Sequence, residues 1–134
     1  MSSPLSCPFC EIVSGPNHAR VIVQNEHAFL IRDGFPVSDG HSLIIPKRHT
    51  GSFFDATLDE RQALLGLVDQ AKLLIDQEFA PDAYNIGIND GPAAGQTVPH
   101  LHIHLIPRYE EGVIDPRGGV RWVVPEKADY WSNR

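Results

Sequence analysis

Three histidines alternate with apolar residues in the run Pro99-His100-Leu101-His102-Ile103-His104-Leu105-Ile106. On an extended strand alternate side chains share a face, so this spacing sets all three imidazoles on one side. Leu101, Ile103 and Leu105 then face the other way, toward a core. Neutral imidazole is the commonest transition-metal ligand, so a metal centre is one chemistry for the row. The residues leading into it favour another. Asn89 and then Gly95-Gln96-Thr97 combine a glycine, which lets backbone approach an anion closely, with amide and hydroxyl donors for phosphate oxygens. Cys7 and Cys10 are the only cysteines, and their C-x-x-C spacing suits a metal better than a disulfide that staples a fold. No strand precedes them in the manner of a thioredoxin-type redox pair.

The elements that would carry these groups follow from punctuation and periodicity. Cys7-Pro8-Phe9-Cys10-Glu11-Ile12-Val13 predicts a short turn or helix closed by Ser14-Gly15-Pro16. Residues 20–24 and 27–32 are rich in β-branched and aromatic side chains and predict a hairpin around Asn25-Glu26. Residues 41–45 read as a strand stopped by Pro46. Thr57-Leu58-Asp59-Glu60 fits a capping box. Leu64, Leu67, Val68, Ala71, Leu74 and Ile75 then recur on one helical face, and Pro81 ends the helix. Strands are predicted at 84–89, at 100–106 with Pro107 as its stop, and last at 121–124. The order predicts an α+β fold with a mainly antiparallel sheet.

At 134 residues the chain has the size of one domain, expected to span 1–134 with a C-terminal tail from about 107. The 42% hydrophobic and 21% charged content is globular. A formal charge of −6 argues against a general nucleic-acid or anionic-membrane binder. No apolar run approaches the roughly 18 residues of a membrane span. The opening M-S-S-P-L-S-C lacks the basic start and apolar stretch of a secretory signal, so a cytoplasmic location is the expectation.

H-L-H-I-H-L-I matches, at every position, the histidine-triad (HIT) signature of three histidines separated by apolar residues. The match extends through N-D-G-P-A-A-G-Q-T-V and D-G-F-P-V-S-D-G-H-S-L-I-I-P-K-R-H. The chain therefore resembles the HIT family over most of its length. Its D-P-R-G-G-V-R-W tail is similar to the bacterial diadenosine-polyphosphate hydrolase-like branch rather than the short-tailed nucleoside phosphoramidase branch. The resemblance implies a HIT-like fold, a mainly antiparallel five-stranded sheet with one long and one short helix, and a homodimer with a sheet continuous across both subunits. It also implies a hydrolase or transferase acting at the α-phosphorus of diadenosine polyphosphates or nucleoside phosphoramidates.

Under that resemblance His102 is the nucleophile that forms a nucleotidyl-histidine, and His104 assists the leaving group. An imidazole with a pKa near 6.5 is mostly unprotonated at neutral pH and needs little activation. Gln96 and Thr97, with Gly95 and Asn89 nearby, would hold phosphate oxygens, and Asp33 the ribose hydroxyls. Phe9 and Ile31 would line the base pocket. Read from residue type alone, Asp33 is a turn residue and Phe9 and Ile31 are core. The C-x-x-C start implies structural zinc on Cys7, Cys10, His49 and His100, with four protein ligands and no open position; no catalytic cofactor is expected. Arg108, Arg117 and Arg121 read as surface or as ion pairs with Glu110, Glu111 and Asp115; as a group, with Lys47 and Arg48, they could serve a distal phosphate. Two other readings stay open: a metal-dependent hydrolase using all three histidines, and a nucleotide-binding module with little turnover.

Overall fold

Two layers of apolar side chains sandwich the middle of a sheet, because its central strands alternate between them. The computed structural model describes residues 6–132; the reading of the N-terminus as free of a secretory signal rests largely on residues 1–5, outside that range. The strands are β1 (Val23–Gln24), β2 (Ala28–Arg32), β3 (Ser42–Pro46), β4 (Ala83–Gly87) and β5 (Ile103–Arg108). They form an antiparallel sheet of order β1-β2-β3-β5-β4. Ala28, Leu30, Ile44, Leu101, Ile103 and Leu105 pack on the long helix α2 (Leu58–Phe79), against Leu64, Leu67, Ala71 and Ile75. Phe29, Ile31, Leu43 and Ile45 face the other way, onto Phe9 and Ile12 of the short helix α1 (Pro8–Ser14). A third, one-turn helix, α3 (Pro125–Ala128), lies in the tail. The expected α+β fold is the one observed.

Helix α2 starts as its sequence requires. Thr57 Oγ1 accepts from the Glu60 N–H, and Glu60 Oε1 accepts from the Thr57 N–H, so two orphan donors are satisfied reciprocally. The same buried carboxylate takes a bidentate pair of hydrogen bonds from Arg48 at 2.9 Å each. These bonds, with Arg48's first, hold Glu60 down to about 2 from 4.5. A depressed carboxyl pKa stabilises the fold above the unfolded value and loses that contribution as pH falls through the folded one. Acid melts should therefore show a loss of about 2 kcal/mol between pH 4.5 and 2, a figure discounted because the Arg48 side chain is half exposed. Glu60→Gln should lower the melting temperature at pH 7 and flatten that acid limb; an unchanged limb in the variant would refute the assignment.

Several boundaries differ from the sequence expectation, each for a local reason. The 20–24 strand shrinks to Val23–Gln24 because residues Pro16–Arg20 close a 3₁₀ turn. The hairpin itself is present, with Asn25 Oδ1 accepting the N–H groups of His27 and Ala28. The 84–89 strand is β4, Ala83–Gly87. The histidine strand enters the ladder only at Ile103 and runs through Pro107 to Arg108. Pro107 is tolerated because β3 pairing ends at Leu105 and its carbonyl accepts from Ser38 Oγ, so no ladder donor is lost on that side. Helix α2 ends before Pro81, with Ala80 in the left-handed region at φ 50°. Residues 121–124 are not a strand. Gly118 and Gly119, at φ 92° and 45°, turn the chain into a 3₁₀ helix, Gly119–Val123, closed by local bonds such as Arg121 N–H to the Gly118 carbonyl.

Candidate active site

The histidine row keeps its alternation although it begins ahead of the ladder. Leu101, Ile103 and Leu105 lie in the α2-side core, while His100 and His102 pack edge-on against the Phe9 ring of α1 at 5.6 and 5.1 Å. The extended backbone at the start of the row is held by the Leu101 N–H on the Thr50 carbonyl. His102 and His104 rings stand 5.0 Å apart. They line a cleft of about 490 Å³ whose other walls include Phe9, Ile31, Asp33, Asn89, Gly95 and Thr97.

Hydrogen-bond partners fix the tautomer of each imidazole in the row. A carbonyl can only accept, so His100 carries its proton on Nε2, 2.8 Å from the Pro46 carbonyl, and turns a bare Nδ1 toward the cysteines. His102 carries its proton on Nδ1, donated to the His100 carbonyl at 2.8 Å, which leaves the Nε2 lone pair free. His104 is set through His41. The Val37 N–H donates to His41 Nδ1, so His41 bears its proton on Nε2, 3.0 Å from His104 Nδ1. His104 Nδ1 is then an acceptor and its Nε2–H a donor. Burial, then neighbouring His102 and His41, pushes His104 down to about 4. Burial also lowers His41, against the pull of Asp33. Both rings are neutral near pH 7.

In the sequence His41 stands out only as the start of a strand. Its signal was the β3 alternation: two residues before Leu43, it shares the face on which Leu43 pairs with His104. The other predicted site residues fall into two groups. Phe9, Ile31, Asp33, Asn89, Gly95 and Thr97 are brought to the cleft. Asp33 also keeps its turn role, with Oδ1 accepting the Phe35 N–H at 2.8 Å, and Oδ2 stands 3.4 Å from His41 Nε2. Gln96 is not among the cleft walls. Its amide accepts from the Gly91 N–H and donates to the Gly51 and Val98 carbonyls, so it shapes the glycine-rich loop instead. The arginines are also committed elsewhere: Arg117 to Asp115, Arg121 to the carbonyls of Lys127 and Ala128, Arg108 to Asn85 and Arg48 to Glu60.

Cys7, Cys10, His49 and His100 converge beside the row, their donor atoms all within 4.8 Å of one another. Four of the separations are 3.3 Å (Cys7 Sγ to His100 Nδ1), 3.3 Å (Cys10 Sγ to His49 Nδ1), 3.6 Å (Cys10 Sγ to His100 Nδ1) and 3.2 Å (His49 Nδ1 to His100 Nδ1). Donors at ordinary zinc bond lengths on a tetrahedron stand about 3.3–3.8 Å apart. The Pro46 carbonyl supplies the outer partner that orients a ligating imidazole. The donor set and spacing fit zinc. A second group, Asp33, His41 and His104, does not fit a cation, because the Val37 N–H on Nδ1 keeps a proton on His41 Nε2, where the metal would have to sit. The three row histidines also do not converge on one point: His100 turns to the cysteines, His104 to His41, and His102 belongs to neither group. This arrangement is against a single metal held by all three.

A model of the HIT domain family matches residues 14–111. An uncharacterized HIT-like protein of Mycoplasma genitalium is 43% identical over 107 residues, 80% of this chain and 76% of that one. The crystal structure of a zinc-bound histidine triad family protein from Mycobacterium smegmatis aligns with a TM-score of 0.73 at 36% identity, covering 81% of this chain and 79% of that one. The bis(5′-adenosyl)-triphosphatase of Saccharomyces cerevisiae is 32% identical over 114 residues, 84% of this chain and 52% of that enzyme.

Proposed function

The chain belongs to the HIT family, and from that premise we propose that it cleaves nucleoside phosphoryl compounds at the α-phosphorus, by way of a nucleotidyl-histidine on His102. The substrate class is diadenosine polyphosphates or nucleoside phosphoramidates. One observation carries the reading: His102 Nδ1–H is tied to the His100 carbonyl, so the lone pair on Nε2 is always the one offered to the cleft. His102 Nε2 attacks phosphorus and the leaving group departs with its bonding pair. Water then attacks the intermediate and frees the imidazole. His104 Nε2–H hydrogen-bonds the phosphate or bridging atom, and Thr97 donates to the oxygens on which charge builds, while Gly95, its own N–H on the Pro92 carbonyl, lets the backbone approach them closely. Asp33 accepts from ribose hydroxyls, and Phe9 and Ile31 bracket the base. Hydrolysis and transfer share the first half of this sequence.

The test is a quenched reaction with substrate labelled at the α-phosphorus. Label should be found on His102 and be discharged by water. Binding of AMP with no label and no turnover would replace this reading with that of a binding module.

Zinc on Cys7, Cys10, His49 and His100 fits the same picture as a structural ion, closed by four protein ligands and tying α1 to the histidine row. Cys10→Ser should release one equivalent of zinc by elemental analysis and lower the melting temperature by roughly 10 °C. A variant that melts unchanged and carries no less metal would refute the site. A homodimer is proposed through β4, an edge strand with Ile86 half exposed. Among the described residues no helix is long and apolar enough to cross a membrane; a cytoplasmic location is part of the proposal.

A further inference from the structure

Among the described residues Arg20 is the only lysine or arginine lining the nucleotide cleft, and the chemistry at phosphorus does not use it. It closes the 3₁₀ turn Pro16–Arg20 that leads into β1. The next residue, Val21, packs on the Phe9 and Ile31 cluster, so Arg20 stands at the ribose and base end of the cleft. One guanidinium nitrogen of Arg20 donates to the carbonyl of Arg32, the residue before Asp33, at 3.0 Å. The same nitrogen lies 3.7 Å from where a Cβ on Gly34, the residue after Asp33, would sit. The guanidinium is thus held beside the carboxylate proposed to take ribose hydroxyls.

An exposed arginine is ordinarily a solvated charge, and three observations set this one apart. It is tethered to a backbone carbonyl instead of trailing into solvent. Among the described residues it forms no ion pair, whereas Arg32 is spent on Ser42 and Glu78. Gly34 is not in the left-handed region, so its turn does not demand glycine, and the missing side chain leaves room against the guanidinium. The placement of charge is also lopsided. At the phosphorus end Thr97 is a neutral donor and burial holds His104 and His41 neutral, so the fixed positive charge sits at the ribose instead. Dinucleotide-binding folds divide the same labour, with a carboxylate for a ribose hydroxyl and an arginine nearby for a ribose phosphate.

We propose that Arg20 forms a subsite for a phosphate on the ribose, at its 2′ or 3′ oxygen, so that nucleotides carrying that phosphate are preferred over those with both hydroxyls free. The inference rests on the nucleotide reading above and adds a substrate class to it. With one N–H on the Arg32 carbonyl, the guanidinium keeps its remaining donors for two phosphate oxygens, in the paired geometry arginine makes with oxyanions. Asp33 then accepts from the single hydroxyl that is left. The bond cleaved at the α-phosphorus is unchanged.

The test is titration calorimetry of the full chain with four adenosine ligands: the 5′-monophosphate, the 2′,5′- and 3′,5′-bisphosphates, and the 5′-(α,β-methylene)diphosphate. The last carries its extra phosphate at the other end and resists cleavage, so it controls for charge alone. One of the bisphosphates should bind about tenfold more tightly than both the monophosphate and the methylene diphosphate, and its identity names the oxygen. Arg20→Gln should erase that advantage and leave the monophosphate within about twofold, while Arg20→Lys should retain part of it. Bisphosphates that bind no tighter than the methylene diphosphate, or an advantage that survives Arg20→Gln, would overturn the subsite alone, provided the monophosphate binds and His102 takes up label. A preference for GMP over AMP that Arg20→Gln abolishes, with no bisphosphate advantage, would give the arginine to the base and equally overturn the subsite. No binding of any nucleotide and no label on His102 would overturn the nucleotidyl-transfer reading and the subsite with it.

Discussion

His102→Ala is expected to bind AMP within a few-fold of the parent and to turn substrate over roughly 10⁴–10⁶-fold more slowly. The size of the effect follows from removing the atom that forms the covalent bond, which no neighbour replaces. His100 turns its bare Nδ1 to the cysteines, and His104 turns its own to His41. The loss should fall on kcat, because the cleft walls proposed to hold the nucleotide lie mainly on α1, β2 and the glycine-rich loop. Truncation also leaves the His100 carbonyl without its donor, so His102→Gln, with an amide in place of the ring, serves as the second variant. Both should melt within a few degrees of the parent and both should fail to take up label. Turnover within tenfold of the parent in either variant would refute the covalent route.

A second, smaller but still large loss is expected from a residue that need not touch substrate. His41→Ala removes the Nε2–H that holds His104 Nδ1 as an acceptor. His104 is then free to put its proton on Nδ1 and present a bare Nε2 to the leaving atom, the wrong polarity for its task. Loss of a tautomer-setting partner or of one oriented donor costs catalytic sites about 10²–10⁴-fold, and roughly 10²–10³ is expected here. His41 acts by positioning, so the decisive readout is rescue. His41→Gln offers an amide oxygen to the Val37 N–H and an amide N–H to His104, and it should recover at least a tenth of the parent kcat. His41→Leu, close in volume but with neither group, should not. Equal activity in the Gln and Leu variants would assign His41 to packing alone.

The contrast between these two histidines shows what the sequence makes legible. His102 is announced by neighbours at i±2, a pattern contained in a few residues. His41 owes its role to the ladder that sets Leu43 opposite His104, a contact between segments far apart in the chain. The capping box of α2 was readable for the same reason as the triad, since Thr57 and Glu60 satisfy each other locally. Gln96 reads as a phosphate ligand from its place in Gly95-Gln96-Thr97, whereas its amide partners include Gly51, brought in by the tertiary fold. Val123 and Val124 look like strand residues by type. The glycine pair before them and Pro125 after them confine the chain to local turns, and Val123 remains exposed. The Cys7, Cys10, His49 and His100 grouping followed from family resemblance, and the folded chain does bring the four together.

The bridge that Gln96 makes from Gly91 to Gly51 and Val98 has a kinetic consequence. A mouth braced by its own amide needs no rearrangement before a nucleotide enters, so little ordering entropy is lost on arrival. Association should then be a single exponential whose rate rises linearly with nucleotide concentration, without the plateau of a slow isomerisation. Discrimination among nucleotides would accordingly be expressed in how long each one stays.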